Sequence, residues 1–300
     1  MQRQMACYCA TSCNIVWAKS MNKLTMNDAV KTIRSLPPLP EIVTDLLSSM
    51  GKENINIDTL AEKLARDQAL VATTLRLANS SFYGMSHRVT SIREAFAILG
   101  LKSMRTLITA ASVTNGFIGG QNLAGEIEKN WRHSIAVAVC TKALARQLHQ
   151  DQELAFTVGL LHDIGRLVLA IYFPVQHQAV LTHRATHDCT AFQAEQAVLG
   201  IDHAMVGQAL VEYWKLPPDI QLAIGSHHTP DQSKQSALVS LVQVADAIVH
   251  ALDLALDEEE LVPLISTAAW NKLGIGRETV LQVFEETEQQ FEEMCQILIV

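Results

Sequence analysis

A histidine and an aspartate stand side by side in the middle of one of the most apolar stretches of the chain. Leu154 to Phe173 is rich in Leu, Val, Ile, Ala and Phe, broken at its centre by His162-Asp163 and then by Arg166. A run of this length could span a bilayer, but each charge at its middle would cost about 2.5–3.5 kcal/mol there. A buried helix of a soluble protein, carrying a polar site, is the better reading. Burying the pair without partners costs several kcal/mol, so the fold must supply them. Two solutions stand open: an ion-paired, hydrogen-bonded network in the core, or a shared metal ion. The pattern predicts one helix from Leu154 to Tyr172. On it, neighbouring residues differ by about 100° in direction, and an ion against that surface takes one ligand from each. Gly159 and Gly165 flank the pair and let other helices come close.

The rest of the chain repeats the helical period, and no stretch alternates with period two, so the fold class is all-α. The 300 residues are 49% hydrophobic, ample for a packed core. Thr25 to Asp28 resembles a capping box, Asp58 is placed as an N-cap, and Ser91 to Glu94 caps a helix ending at Gly100. A further helix reaches about Asn115, where glycines 116, 119 and 120 mark a break. The predicted organisation is a disordered extension over 1–24, an N-terminal helical part over 25–120, a helical core over 121–256, and C-terminal helices over 257–300, starting near 259–271 and 277–297. The apolar stripe Val280, Val283, Phe284, Phe291, Met294 and Ile297 is expected to pack on the domain. Translation from Met1 and from Met21 are both open.

Charge and cysteine content narrow the function classes. Residues 1–122 carry a balance of +5 and residues 123–300 a balance of −13. Two complementary subdomain surfaces, or two ordinary solvated ones, account for that. No basic run marks a nucleic-acid binder, and no spacing among Cys7, Cys9, Cys13, Cys140, Cys189 and Cys295 reads as a disulfide framework. No membrane span is expected, and a cytoplasmic location follows by default.

Other histidines and acids stand where they could complete a shell around the pair. His133 lies early in the preceding long helix, His203 opens a helix, His227-His228 forms a doublet at a helix end, and Asp246 is a lone acid in an apolar helix. Imidazole and carboxylate without thiolate favour Fe, Mn, Zn, Ni or Mg over a thiolate zinc site. His149, His177, His183, His187 and His250 have mixed, polar surroundings and read as ordinary residues.

The ordered set His…HisAsp…His…HisHis…Asp resembles the HD superfamily of metal-dependent phosphohydrolases. More closely, the chain resembles the HDOD family, the HD-related output domain of bacterial signalling proteins, over residues 25–255. The likeness rests on Leu36-Pro37-Pro38-Leu39-Pro40, Leu75 to Ser80, Trp131-Arg132-His133-Ser134, Gly159 to Gly165, Glu195 to Gly200, His203 to Gly207 and His227-His228. It implies that His133, His162, Asp163 and Asp246 are the four HD ligands, and that His203 with His227 or His228 takes a second metal. One or two divalent transition metals are therefore expected. The doublet continues as Thr229-Pro230-Asp231, not Gly-Tyr-Pro, so the cyclic di-GMP hydrolysis of the HD-GYP subfamily is not implied. Arg166 stands where that subfamily has Lys; it could hold a phosphate but is a poor proton donor. The resemblance implies a regulatory module that docks a signalling protein. The alternative is a working phosphohydrolase on a nucleotide or other phosphoester, with Asp163 and Arg166 as its catalytic groups.

Overall fold

The computed structural model describes residues 23–36, 38–48, 56–84, 87–118, 125–229, 236–255 and 261–299. Their regular secondary structure is all helical, and no strand occurs among them. The N-terminal helices are α1 (Met26–Ser35), α2 (Glu41–Ser48), α3 (Ile57–Leu64), α4 (Gln68–Ala78) and α5 (Ile92–Ile118). The Thr25–Asp28 box forms with both bonds in place. The cap of α3 is Asn56, whose side chain accepts the Thr59 N–H, and the expected cap Asp58 lies inside the first turn. Gly100 bends α5 at φ +77°, a conformation L side chains rarely adopt. The helix then runs through Gly116 to Ile118, past the stop expected near Asn115. Of the expected extension, residues 1–22 lie outside the described part, whereas Leu24 is buried and its N–H bonds the Leu199 carbonyl.

The following helices are α6 (Glu126–Gln147), α7 (Gln152–Leu161), α8 (Ile164–Tyr172), α9 (Pro174–Arg184), α10 (Ala191–Val198), α11 (His203–Tyr213), α12 (Pro218–Ser226), α13 (Ala237–Ala251), α14 (Thr267–Leu273) and α15 (Arg277–Leu298). Residues 261–266 are not helical, so the helix expected from 259 starts eight residues later, where the Ser266 side chain caps it. The long α6 is the central rod. It packs against α7, α13 and α15, and α8 packs against α11. Val283, Phe291 and Met294 of α15 are buried, which is the apolar stripe read from the sequence. Cys140 and Cys295 are buried free thiols, and burial raises each to about 12. Beside α6 the 3-10 turn Ser81–Tyr83 is clamped by a half-buried cation. Lys142 Nζ lies 3.0 Å from Glu153 Oε1, 4.1 Å from the Phe82 ring centre and 4.5 Å from that of Tyr83.

The predicted single helix over 154–172 is two helices. His162 is the last residue with α-helical dihedrals of the first, and Asp163, at φ −100° and ψ +16°, opens the second. The run is buried inside the protein rather than presented as one continuous rod. The break turns the pair out of the helical register, so that both side chains face the same interior space.

Candidate metal centre

Six elements bring their polar groups to that space. α6 gives His133, the α7–α8 junction gives His162, Asp163 and Arg166, and α11 gives His203. The end of α12 gives His227 and His228, and α13 gives Asp246. Three contacts between backbones make this convergence geometrically feasible. A methyl on Gly159 would sit 2.7 Å from Ala138 Cα of α6. A methyl on Gly165 would meet the His203 carbonyl and sit 2.7 Å from Gly207 N of α11. Only a glycine at 159 keeps α7 this close to α6, and only one at 165 keeps α8 on α11.

Most of these side chains are nearly inaccessible: His162 is 0% exposed, His203 and His227 1%, His133 2%, and Asp163 and Asp246 4%. Asp163 Oδ1 lies 3.0 Å from His203 Nε2 and 3.4 Å from His227 Nε2. His203 Nε2 is in turn 3.3 Å from His227 Nε2 and 2.8 Å from His228 Nε2. On the other side, Asp246 Oδ1 lies 3.0 Å from His133 Nε2 and 3.2 Å from His250 Nε2. Asp163 Oδ2 is 3.8 Å from His133 Nε2, which joins the two halves. The ligand atoms form three overlapping sets, each within 4.8 Å: Asp163, His203, His227, His228; His133, Asp246, His250; and His133, His162, Asp163.

The donor chemistry fits a cation. His162 Nδ1 bonds the Gly159 carbonyl at 2.7 Å, and His227 Nδ1 the Ile224 carbonyl at 2.7 Å. His203 Nδ1 lies 2.6 Å from Glu195 Oε2. Each ring is thereby fixed with Nε2 pointing inward, the arrangement that orients a metal-ligating imidazole. His162 Nε2 is buried without a hydrogen bond. Ligand atoms around one first-row ion at about 2.1 Å stand about 3–3.4 Å apart, the spacing found between His203, His227 and Asp163.

Electrostatics agree. Burial lowers His162 to about 4, against the pull of Asp163. Burial opposes the charge on Asp163, but His162, His203 and Arg166 outweigh it and hold the carboxyl well below its usual range. Asp246 is held down likewise, by His250 and His133 against burial. Burial also works against a charged His203, yet Glu195 and Asp163 raise it to about 10. Without an ion, a proton on His203 thus supplies the positive charge between two carboxylates. Burial, with His227 and His203, holds His228 well below its ordinary value. Arg166 Nη1 stands 3.2 Å from Asp163 Oδ2.

All seven expected metal-ligating residues and Arg166 converge, and two further residues belong with them. His250, read from sequence as ordinary, lies against Asp246, and its ring, tilted by 34°, has its centre 4.5 Å from that of His133. Its i+4 spacing from Asp246 put both on one helix face and was the available signal. Glu195, 2% exposed, accepts both the His203 backbone N–H at 2.8 Å and the ring nitrogen. Its eight-residue distance from His203 carries no periodic signal. His177 is not an ordinary surface residue either: burial, against Glu195, lowers its pKa, and its Nε2 is buried without a hydrogen bond.

An all-helical core with a histidine–aspartate cluster at a helix junction defines an HD-type domain. The HDOD domain model matches residues 36–230, and the chain belongs to the HDOD family. It resembles an HDOD protein of unknown function from Geobacter sulfurreducens at 26% identity and TM-score 0.75, covering 91% of this chain and 98% of that one. A Shewanella amazonensis protein provisionally designated a phosphohydrolase matches at 26% identity and TM-score 0.70, over 90% and 97% of the two chains. Among curated relatives, an uncharacterized Treponema pallidum protein is 24% identical over 74% of this chain and 43% of its own length. Ribonuclease Y of Desulfotalea psychrophila is 33% identical over 40% of this chain and 18% of its own. The chain thus spans less than half of either curated relative.

Proposed function

We propose that this chain is a regulatory module of bacterial signalling, working in the cytoplasm, whose HD core holds one or two divalent transition metals and which acts by contact with a signalling protein. His133, His162, Asp163 and Asp246 would hold one ion, with His250 beside them. Asp163, His203, His227 and His228 would hold the other. The observation that carries the reading is closure. The cavity against the cluster, lined by Asp163, Arg166, Phe192, His228, Leu261 and Pro263 among others, has a volume of about 30 Å³. That admits one or two water-sized groups, whereas sites for drug-sized ligands occupy roughly 300–1,000 Å³. Protein purified without chelator should carry one or two equivalents of metal by elemental mass spectrometry, lost in the His162→Ala/Asp163→Ala variant. Absence of metal in both, after reconstitution with iron, manganese and zinc, would leave a polar core network and remove the metal from the proposal.

A second reading, a working phosphohydrolase, is favoured by the completeness of the ligand sets and by Arg166 on the cavity wall. A bound divalent metal supplies Lewis acidity and activates water near neutral pH. In this chain Arg166 would orient a phosphoryl oxygen, and Glu195 and the Gly159 and Ile224 carbonyls would keep the imidazoles aimed. Metal-dependent turnover on any member of a broad phosphoester panel, lost in Arg166→Gln with metal retained, would establish it over the first reading.

A further inference from the structure

Part of the wall of the small cavity against the metal cluster is a piece of chain that is not helical. Leu261 and Pro263 line that cavity together with Asp163, His228, Asp246 and His250. They belong to residues 261–266, which lead into α14. Every residue from Leu261 to Ile265 is apolar, yet little of this surface is covered. Leu261 is 41% exposed, Val262 55%, Leu264 94% and Ile265 36%. None of these four belongs to the hydrophobic core. Among the described residues, no backbone–backbone hydrogen bond ties residues 261–265 to another element. The segment is anchored at its far end, where the Ser266 N–H donates to Gln243 Oε1 of α13 at 3.3 Å. A segment with few buried apolar contacts and few backbone hydrogen bonds opens at low cost compared with the helices around it.

We infer that residues 261–266 are a displaceable strap over the metal centre, and that ions and small reagents reach the cluster beneath it. Leu261 and Pro263 face the cavity, whereas Val262 and Leu264 turn outward, so the strap presents one apolar side to the cluster and the other to solvent. With the strap in place, the space beside the histidines and carboxylates is about 30 Å³, room for one or two water-sized groups. Lifting it takes away the apolar wall beside Asp163, His228, Asp246 and His250 and lets water in, which weakens every charge interaction there. Closure of the centre is then a local equilibrium of six residues, not a fixed property of the helical fold. The strap's part in metal exchange rests on the metal centre proposed above; its shielding of the histidines does not.

The test is carbethoxylation of the histidines by diethyl pyrocarbonate in the full chain stripped of metal, mapped by peptide mass spectrometry, with the exposed His149 as internal reference. In the wild type, His228 and His250 should react at least about tenfold more slowly than His149. Leu261→Gly/Pro263→Gly removes the apolar wall and should speed both at least about tenfold. Gln243→Leu keeps the wall but removes the anchor, and should speed both at least about threefold. Should that variant fail to fold, Ser266→Pro deletes the same donor at a φ of −62°, which proline adopts. His149 should react alike in all of them. Wild-type rates equal to that of His149, or rates unchanged in the glycine variant, would overturn the strap as the closing element. Rates unchanged by loss of the anchor would overturn its displacement. In metal-loaded protein, release of the ion to a chelator should accelerate in the same variants. Failure to take up any metal would sink the metal-centre reading and leave the strap standing on the histidine rates. Metal bound, with both rates unchanged in the variants, would sink the strap alone.

Discussion

Replacing Gly165 by alanine tests whether close backbone contact is what assembles the centre. The new methyl would meet the His203 carbonyl and stand 2.7 Å from Gly207 N and 2.9 Å from the His203 carbonyl carbon, where ordinary contact begins at 3.4 Å. These obstacles are backbone, not the far end of a flexible chain, so α8 and α11 must part by at least 0.7 Å, the difference between 2.7 and 3.4 Å. Overpacking of this kind costs about 1–3 kcal/mol or more. The gain of about 1 kcal/mol from Gly to Ala in a helix offsets only part of it. The displaced residue is His203, now 3.0 Å from Asp163 Oδ1. The expected result is a net loss of about 1–2 kcal/mol in urea unfolding and metal affinity reduced roughly 10–100-fold, the scale seen when ligand-orienting contacts are lost. Gly207→Ala is the internal control. Its methyl would meet the Ile224 Cγ2 side-chain atom at 3.0 Å and the Gly165 backbone nitrogen only at 3.3 Å, a misfit of a few tenths of an ångström, so stability should stay within about 1 kcal/mol of wild type. A Gly165→Ala protein as stable as the control, with its metal retained, would refute the packing argument.

Glu195→Gln should weaken metal binding about 10–100-fold without unfolding the protein, read by competition with a chromogenic chelator. In metal-free protein, His203 is raised to about 10 from 6.5, so its stabilising contribution is complete below pH 6.5 and lost as pH rises through 10. Urea unfolding at pH 6, 8 and 10 should show a decline on the order of a few kcal/mol, much reduced in Glu195→Gln; a flat profile would contradict the assigned proton. Lys142→Met leaves Glu153 half-buried opposite an apolar chain and should cost about 1–3 kcal/mol. Lys142→Met/Glu153→Gln should recover part of that loss, as measured by the same unfolding assay.

The all-helical class and the seven polar residues that converge in the core are legible because helical period and isolated polar groups in apolar runs are local signals. The close approach at Gly159 and Gly165 was legible for the same reason. The break at His162-Asp163 was not: both residues continue an apolar helical pattern, and tertiary demand for two inward side chains overrides it. Asp58 and Asn56 are both good caps, and sequence alone does not rank them. Glu195 leaves no signal in the sequence because its partner His203 is reached through a turn, not along one helix. His250 has polar surroundings in sequence, although its i+4 spacing from Asp246 puts both on one helix face.

The His162-Asp163 junction has a mechanical consequence. α7 leans on the central rod α6 and on α5, while α8 leans on α11. The two candidate ligands therefore sit on the joint between two packed units rather than on the shaft of either. Under the function proposed above, an ion drawing His162 and Asp163 together would act on that joint, and a change in its angle would be largest at the far ends of the two helices.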